Sequence, residues 1–261
     1  MGEPVVLVER TGNRVNIILN RPERKNSVTA ELAEQLRDAL CAVNADPTVG
    51  CVVLQGAGGF FCSGIDLKAA GDGQKPAPLL AWPSVHAEIY RCTVPIVLAL
   101  EKYAINAGAA LALASNIVVA GETSFLQVSE IQIGVAAPMN QAWLHLRHSP
   151  AVADRLTLLA DRIPAAELLR LSVVTEVVAD DAVLPRANEI ADRITAYPQS
   201  GRDGIARVQN RLRGEIADPE SWFRALMQPL AWWWSARRTT RRRRANWRHS
   251  ATSPWWWGMT A

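Results

Sequence analysis

Apolar residues recur at period two at the start of the chain and at helical spacing soon after. Val5-Val6-Leu7-Val8 runs into Thr11-Gly12-Asn13, after which Val15, Ile17 and Leu19 alternate with polar residues. That pattern predicts a hairpin of two half-buried strands around a tight turn. Asn20-Arg21-Pro22 stops it. Thr29 precedes Leu32, Leu36, Leu40 and Val43, so its hydroxyl is expected to cap a helix whose apolar stripe these four residues form. Cys51–Gln55 is an apolar run of strand length, closed by Gly56-Ala57-Gly58-Gly59.

The alternation continues with a helix expected over Leu80–Arg91 and a buried strand over Pro95–Leu100. A small-residue helix over Ala107–Ala114 and a strand over Ile117–Ala120 follow. Helical spacing then marks Asn140–Leu146, Ala151–Leu159, Ala165–Leu171 and Asp181–Tyr197, with a further strand near Val173–Val178. After Pro198 only helices are expected, at Gly204–Arg213 and Pro219–Met227. Strands alternating with helices predict an α/β core over 1–198, and the helical end at 199–230 reads as a packing or oligomerisation part.

Composition changes this picture at one end only. A chain of 261 residues with 49% hydrophobic side chains can bury a core, which excludes general disorder. No apolar run approaches the roughly 18 residues that span a bilayer. Met1-Gly2-Glu3-Pro4 lacks the basic and apolar stretches of a secretory signal, and Val6 stands where a myristoylation signal has Ser or Thr. A cytoplasmic protein with no membrane partner is the expectation. The net charge of +3 belongs to the tail, because residues 231–261 hold seven arginines and no acid. Residues 1–230 carry 21 basic against 25 acidic groups, a net −4, so no nucleic-acid partner is expected.

That tail also holds seven of the ten tryptophans, with triplets at Trp232–Trp234 and Trp255–Trp257. Tryptophan has the single codon TGG, and TGG repeats read one frame away encode valine or glycine. A GC-rich gene whose frame shifts near codon 230 would yield such Arg/Trp runs, which is the reading favoured for this segment. The alternative is an Arg/Trp segment suited to a membrane surface or a nucleic acid. Cys41, Cys51, Cys62 and Cys92 show no metal or CxxC spacing and are expected to be reduced and buried. His145 and His148 lie three apart and could share a helix face, with no third metal ligand in view.

Three segments carry the chemistry. The first is Asn20-Arg21-Pro22-Glu23-Arg24-Lys25-Asn26, and the second is Phe60-Phe61-Cys62-Ser63-Gly64-Ile65-Asp66-Leu67-Lys68. The third runs from Pro95 through Ala107-Gly108-Ala109 and Ala120-Gly121-Glu122 to Glu130-Ile131-Gln132-Ile133-Gly134. In order and spacing they resemble the enoyl-CoA hydratase/isomerase (crotonase) family over roughly residues 4–230. The resemblance implies a crotonase-like α/β spiral of repeated ββα units with an all-helical C-terminal part, assembled as a homotrimer or dimer of trimers. It implies an acyl-CoA thioester substrate, with coenzyme A entering as part of that substrate and no separate cofactor or metal.

The resemblance also implies roles. The backbone N–H groups of Ile65 and Ala107 would hold the thioester carbonyl while an enolate forms, the logic of an oxyanion hole. Glu130 would be the acid/base, and Arg24, Lys25, Asp66 and Lys68 lie in segments that contact CoA. Hydratases of the family use two glutamates, and the first falls on Ala110, which cannot bind a water. A single carboxylate still suffices for isomerase-type proton transfer. Glu101-Lys102 replaces the usual Asn-Gly and Asn106 replaces a glycine. Glu101 is a weak substitute for the lost carboxylate, a solvated Glu–Lys pair being the simpler account. A catalytically weak acyl-CoA binder is the alternative function, and a hydratase, decarboxylase or hydrolase variant of the family is the alternative reaction.

Overall fold

In a computed structural model, residues 3–66, 80–212 and 214–227 are described. Lys68 and the Arg/Trp tail at 231–261 lie outside the described residues. The opening hairpin forms as β1 (Val6–Thr11) and β2 (Arg14–Leu19), antiparallel, with Val6 opposite Leu19. Helix α1 (Ala30–Ala45) starts where Thr29 accepts a hydrogen bond from the Leu32 N–H, and it buries Leu32, Leu36, Leu40 and Val43. β3 (Cys51–Gly56), α2 (Trp82–Arg91) and β4 (Ile96–Leu100) follow. Then come β5 (Tyr103–Ile105), α3 (Ala107–Ala114), β6 (Ile117–Gly121) and β7 (Phe125–Gln127).

Helices α4 (Pro138–Arg147) and α5 (Pro150–Leu159) lead to β8 (Ile163–Pro164), α6 (Ala165–Arg170) and β9 (Glu176–Val178). The chain continues through α7 (Val183–Thr195), α8 (Gln199–Leu212) and α9 (Pro219–Leu226). β9 is shorter than the expected Val173–Val178, because only its last residues pair with β6.

Six strands form one sheet in the order β1-β2-β3-β4-β6-β9, parallel except for the first pair. β5, β7 and β8 form a second, smaller sheet. Successive two-strand turns send one strand to each sheet: β4 then β5, β6 then β7. The central strands β3, β4 and β6 are buried on both faces, which is why they read as continuous apolar runs rather than alternating ones. One face packs on α7 through Val53, Val97, Ala99, Val119, Ala187 and Ala191. The other faces the main core, to which α1, α2, α3, α4 and Phe223 of α9 contribute.

Two expectations about single residue types need correction. Cys51 and Cys62 are buried, but Cys92 is half-buried and Cys41 is exposed on α1. His148 caps the end of α4 with extended backbone (φ −130°, ψ 167°), so the face it would share with His145 ends before it. Among the described residues no helix is long and apolar enough to cross a membrane.

Candidate active site

The site begins where the Ser63–Asp66 turn meets the head of α3. Phe61 and Cys62 pair with the strand that leads into β5, the Phe61 N–H donating to Glu101 O and the Ile105 N–H to Cys62 O. Gly64 has φ +99°, a conformation that only glycine adopts readily, and a Cβ there would lie 3.1 Å from Ile105 O. Gly108 is pressed harder still, since a Cβ would meet Cys62 O at 2.7 Å. Small residues therefore bring the turn and the helix head into direct contact.

Two peptide units at this contact share one arrangement. The Gly64 carbonyl accepts from the Val28 N–H (2.8 Å), and the Asn106 carbonyl accepts from the Ala110 N–H (3.0 Å) and from Asn140 Nδ2 (3.2 Å). In a planar trans peptide the N–H points opposite to the carbonyl. Each tied carbonyl therefore fixes the direction of the N–H of the next residue, Ile65 in one case and Ala107 in the other. Neither of these N–H groups has a partner among the described residues. For Ala107 this follows from its place at the start of α3, where the first N–H groups of a helix lack internal acceptors.

Asn106, between β5 and α3, has φ 50° and ψ −104°, a left-handed backbone that disfavours every residue but glycine. Its side chain compensates: Oδ1 accepts from the Ser129 N–H (2.7 Å) and from Ser129 Oγ (3.0 Å). The strained residue thus clamps the one that precedes Glu130. Glu130 opens a 3₁₀ turn, Glu130–Ile133, which ends at Gly134 with φ 77°. Its Oε1 accepts from Asn140 Nδ2 (2.9 Å), while Oε2 is buried with no partner among the described residues. Burial pushes its carboxyl up to about 7, against the opposing hydrogen bonds from its own backbone and from Asn140. A carboxyl at that value can both take and return a proton near neutral pH.

Residues 9–219 match the enoyl-CoA hydratase/isomerase family. The chain belongs to that family. An enoyl-CoA hydratase of Mycobacterium tuberculosis is 35% identical over 227 residues, 84% of this chain and 84% of that protein. A 1,2-epoxyphenylacetyl-CoA isomerase of Escherichia coli is 29% identical over 218 residues, 79% of this chain and 82% of that one. Among solved structures, a carnitinyl-CoA hydratase from Mycobacterium avium superimposes with a TM-score of 0.75 at 28% identity. That match covers 88% of this chain and 96% of the other. The fold is therefore the crotonase fold, and this member of the enoyl-CoA hydratase/isomerase family is an acyl-CoA enzyme.

Within this family member the departures from the common pattern take physical form. Ala110 is fully buried in α3 and offers no polar atom. Lys102 has φ 55°, which accounts for the glycine usual at its position, and its Nζ lies 4.3 Å from the centre of the Phe60 ring. Glu101 is half-buried, and burial raises its carboxyl despite the nearby Lys102 charge. Of the Glu–Lys pair expected to be solvated, Lys102 is exposed while Glu101 is half-buried.

The CoA-segment residues divide. Arg24 and Lys25 are exposed side by side in the turn after β2, with Lys25 at φ 54°. Asp66 is engaged differently. Its carboxylate pairs with Arg21 (3.2 Å), accepts from Ser27 Oγ (3.3 Å) and is 7% exposed. Ser129 and Asn140 escaped the sequence reading, which noted Asn106 only as the replacement of a glycine. The one available signal was Asn140 itself, a polar residue on a helix whose Met139, Ala142, Trp143 and Leu144 are buried.

Proposed function

We propose that this enzyme moves a proton at C2 of a CoA thioester, with Glu130 as the single acid/base and the Ile65 and Ala107 N–H groups holding the thioester oxygen. Isomerisation between 2-enoyl and 3-enoyl thioesters is the favoured reaction, because it needs one carboxylate and no placed water. The observation that carries this reading is the Asn140 bridge. One amide joins the Glu130 carboxyl to the peptide that presents the Ala107 N–H. Charge developing on the thioester oxygen would meet two unpaired N–H groups, the second at a helix N-terminus whose dipole adds to the effect.

Coenzyme A enters as part of the substrate, with no separate cofactor. Arg24, Lys25 and Lys68 are the proposed phosphate contacts. Asp66 contributes by bracing Arg21 and the turn, since a carboxylate repels phosphate. Assembly as a homotrimer or dimer of trimers through the helical part at 199–230 is supported by the exposed apolar row Ile205, Val208 and Leu212 on α8.

Turnover of a panel of 2-enoyl-CoA and 3-enoyl-CoA esters by the purified protein tests the reaction. Double-bond migration should outpace hydration on every chain length accepted. Thioester binding without turnover of any ester would instead identify a catalytically weak acyl-CoA binder.

Ala110→Glu is expected to raise hydration of a 2-enoyl-CoA at least several-fold by supplying a second carboxylate. A folded variant that binds CoA thioester and gains nothing would mean that the side chain at 110 does not face the acyl group.

A further inference from the structure

Arg21 closes one turn and reaches into another. Its N–H donates to Asn26 Oδ1 (2.9 Å), and its carbonyl accepts from the Arg24 and Asn26 N–H groups (2.9 Å each). The Asn26 amide donates in turn to Ala57 O (2.9 Å) and Phe60 O (2.7 Å), which fastens the turn after β2 to the segment before the site. The Arg21 side chain runs forward from there. Nη1 donates to Ser27 O (2.6 Å) and Ser27 Oγ (3.1 Å), and Nη2 donates to Asp66 Oδ2 (3.2 Å). The ion pair is largely desolvated, with side-chain exposures of 14% for Arg21 and 7% for Asp66.

Ser27 and Asp66 flank one rung of backbone pairing. Val28 and Ile65 form an isolated parallel bridge, in which the Val28 N–H donates to Gly64 O (2.8 Å) and the Asp66 N–H to Val28 O (2.9 Å). Toward Gly64 the rung is steadied by the Ser63 N–H, which donates to Lys25 O (3.1 Å). Toward Asp66 it is steadied by the guanidinium, whose planar fork spans both partners at once. We propose that Arg21 is a positioning residue for proton transfer, clamping Ser27 to Asp66 so that the Ile65 N–H is aimed at the thioester oxygen. This rests on the reading of that N–H as an oxyanion donor. Charge on the oxygen develops in the transition state, so a misaimed donor weakens turnover more than it weakens ground-state binding. The signature of the clamp is therefore a loss in kcat with KM preserved.

Two thioesters test it. Butanoyl-CoA presents a neutral carbonyl, whereas acetoacetyl-CoA loses a C2 proton to give an enolate whose charge is shared by the thioester oxygen. The ultraviolet absorption of that enolate reports how tightly the charged form is held. Arg21→Lys keeps the charge but cannot span Ser27 and Asp66 together. It should lower kcat by ~10 or more and enolate affinity by a similar factor, with KM and butanoyl-CoA affinity within a few-fold. If Arg21→Lys does not fold, Arg21→Gln combined with Asp66→Asn leaves no buried charge unpaired and is read in the same assays. Full kcat in the variant, or equal losses of affinity for both thioesters, would overturn the clamp. So would a fall in the active fraction alone, with enolate affinity of the folded molecules as in the wild type. Ile65→Pro isolates the premise. If it holds the enolate as tightly as the wild type, the donor reading fails and the clamp has nothing to aim. If it loses the enolate while Arg21→Lys keeps it, the donor stands and the clamp alone falls.

Discussion

Glu130→Gln is expected to lower isomerase turnover by ~10²–10⁴, the range typical for removal of a general acid–base. The substitution keeps the size of the side chain and an oxygen to accept from Asn140 Nδ2, so the Glu130–Asn140 contact can persist. It removes the group able to take the C2 proton. Thioester affinity should change little, because the proposed carbonyl donors are main-chain groups and the proposed phosphate contacts lie elsewhere. Since burial raises the wild-type carboxyl to about 7, proton abstraction should rise with pH through that value as Glu130 ionises.

The same shift predicts a gain in stability for the variant. A carboxyl raised from 4.5 in the unfolded chain to about 7 in the folded one binds more protons when folded. Wild-type stability should therefore fall as pH rises between those values, on the order of 3 kcal/mol at 1.36 kcal/mol per pH unit. Glu130→Gln carries no such penalty. At pH 8 it should unfold at higher urea concentration than the wild type, and near pH 4 the two should converge. A variant that keeps full turnover would remove Glu130 from the chemistry. Parallel stability profiles would show that the carboxyl is solvated.

Ile65→Pro carries the second large effect. Proline has no N–H, so the variant loses one proposed oxyanion donor, and loss of a single donor of this kind typically lowers the rate by ~10²–10³. Ile65→Ala is the matched control. The Ile65 side chain is 37% exposed and its removal leaves the peptide intact, so activity should stay within a few-fold. The neighbouring tie from the Asp66 N–H to Val28 O survives both substitutions on paper, and circular dichroism with a thioester binding assay would establish that the fold does too. Equal rates for the proline and alanine variants would dismiss the N–H of Ile65 as a catalytic group. Loss confined to the proline variant would support it.

Much of this architecture is local and was therefore legible in the chain. The Thr29 cap and the stripe from Leu32 to Val43 specify α1 within a few turns of itself. The run of small residues between Asn106 and Ser115 delimits α3 with the bounds that the structure has. The central large-sheet strands β3, β4 and β6 read as apolar runs because both of their faces are covered. The family could be recognised from the motifs at Asn20–Asn26, Phe60–Lys68 and Glu130–Gly134, which are each contiguous.

The second sheet was not legible. β5, β7 and β8 hold two or three residues apiece, too few to display a period, and they exist because each is paired by a neighbour far along the chain. Nor did the chain announce that Asn106, Ser129, Glu130 and Asn140 form one network, since its hydrogen bonds join residues 10 to 34 positions apart. The sequence by itself determined the helices and the large-sheet strands, which family they compose and that one of two carboxylates is missing. The tertiary structure alone decided that a buried amide sits beside the carboxylate that remains. Short-range pattern encodes burial and backbone preference, whereas a site is a meeting of side chains that the spiral brings together from separate turns.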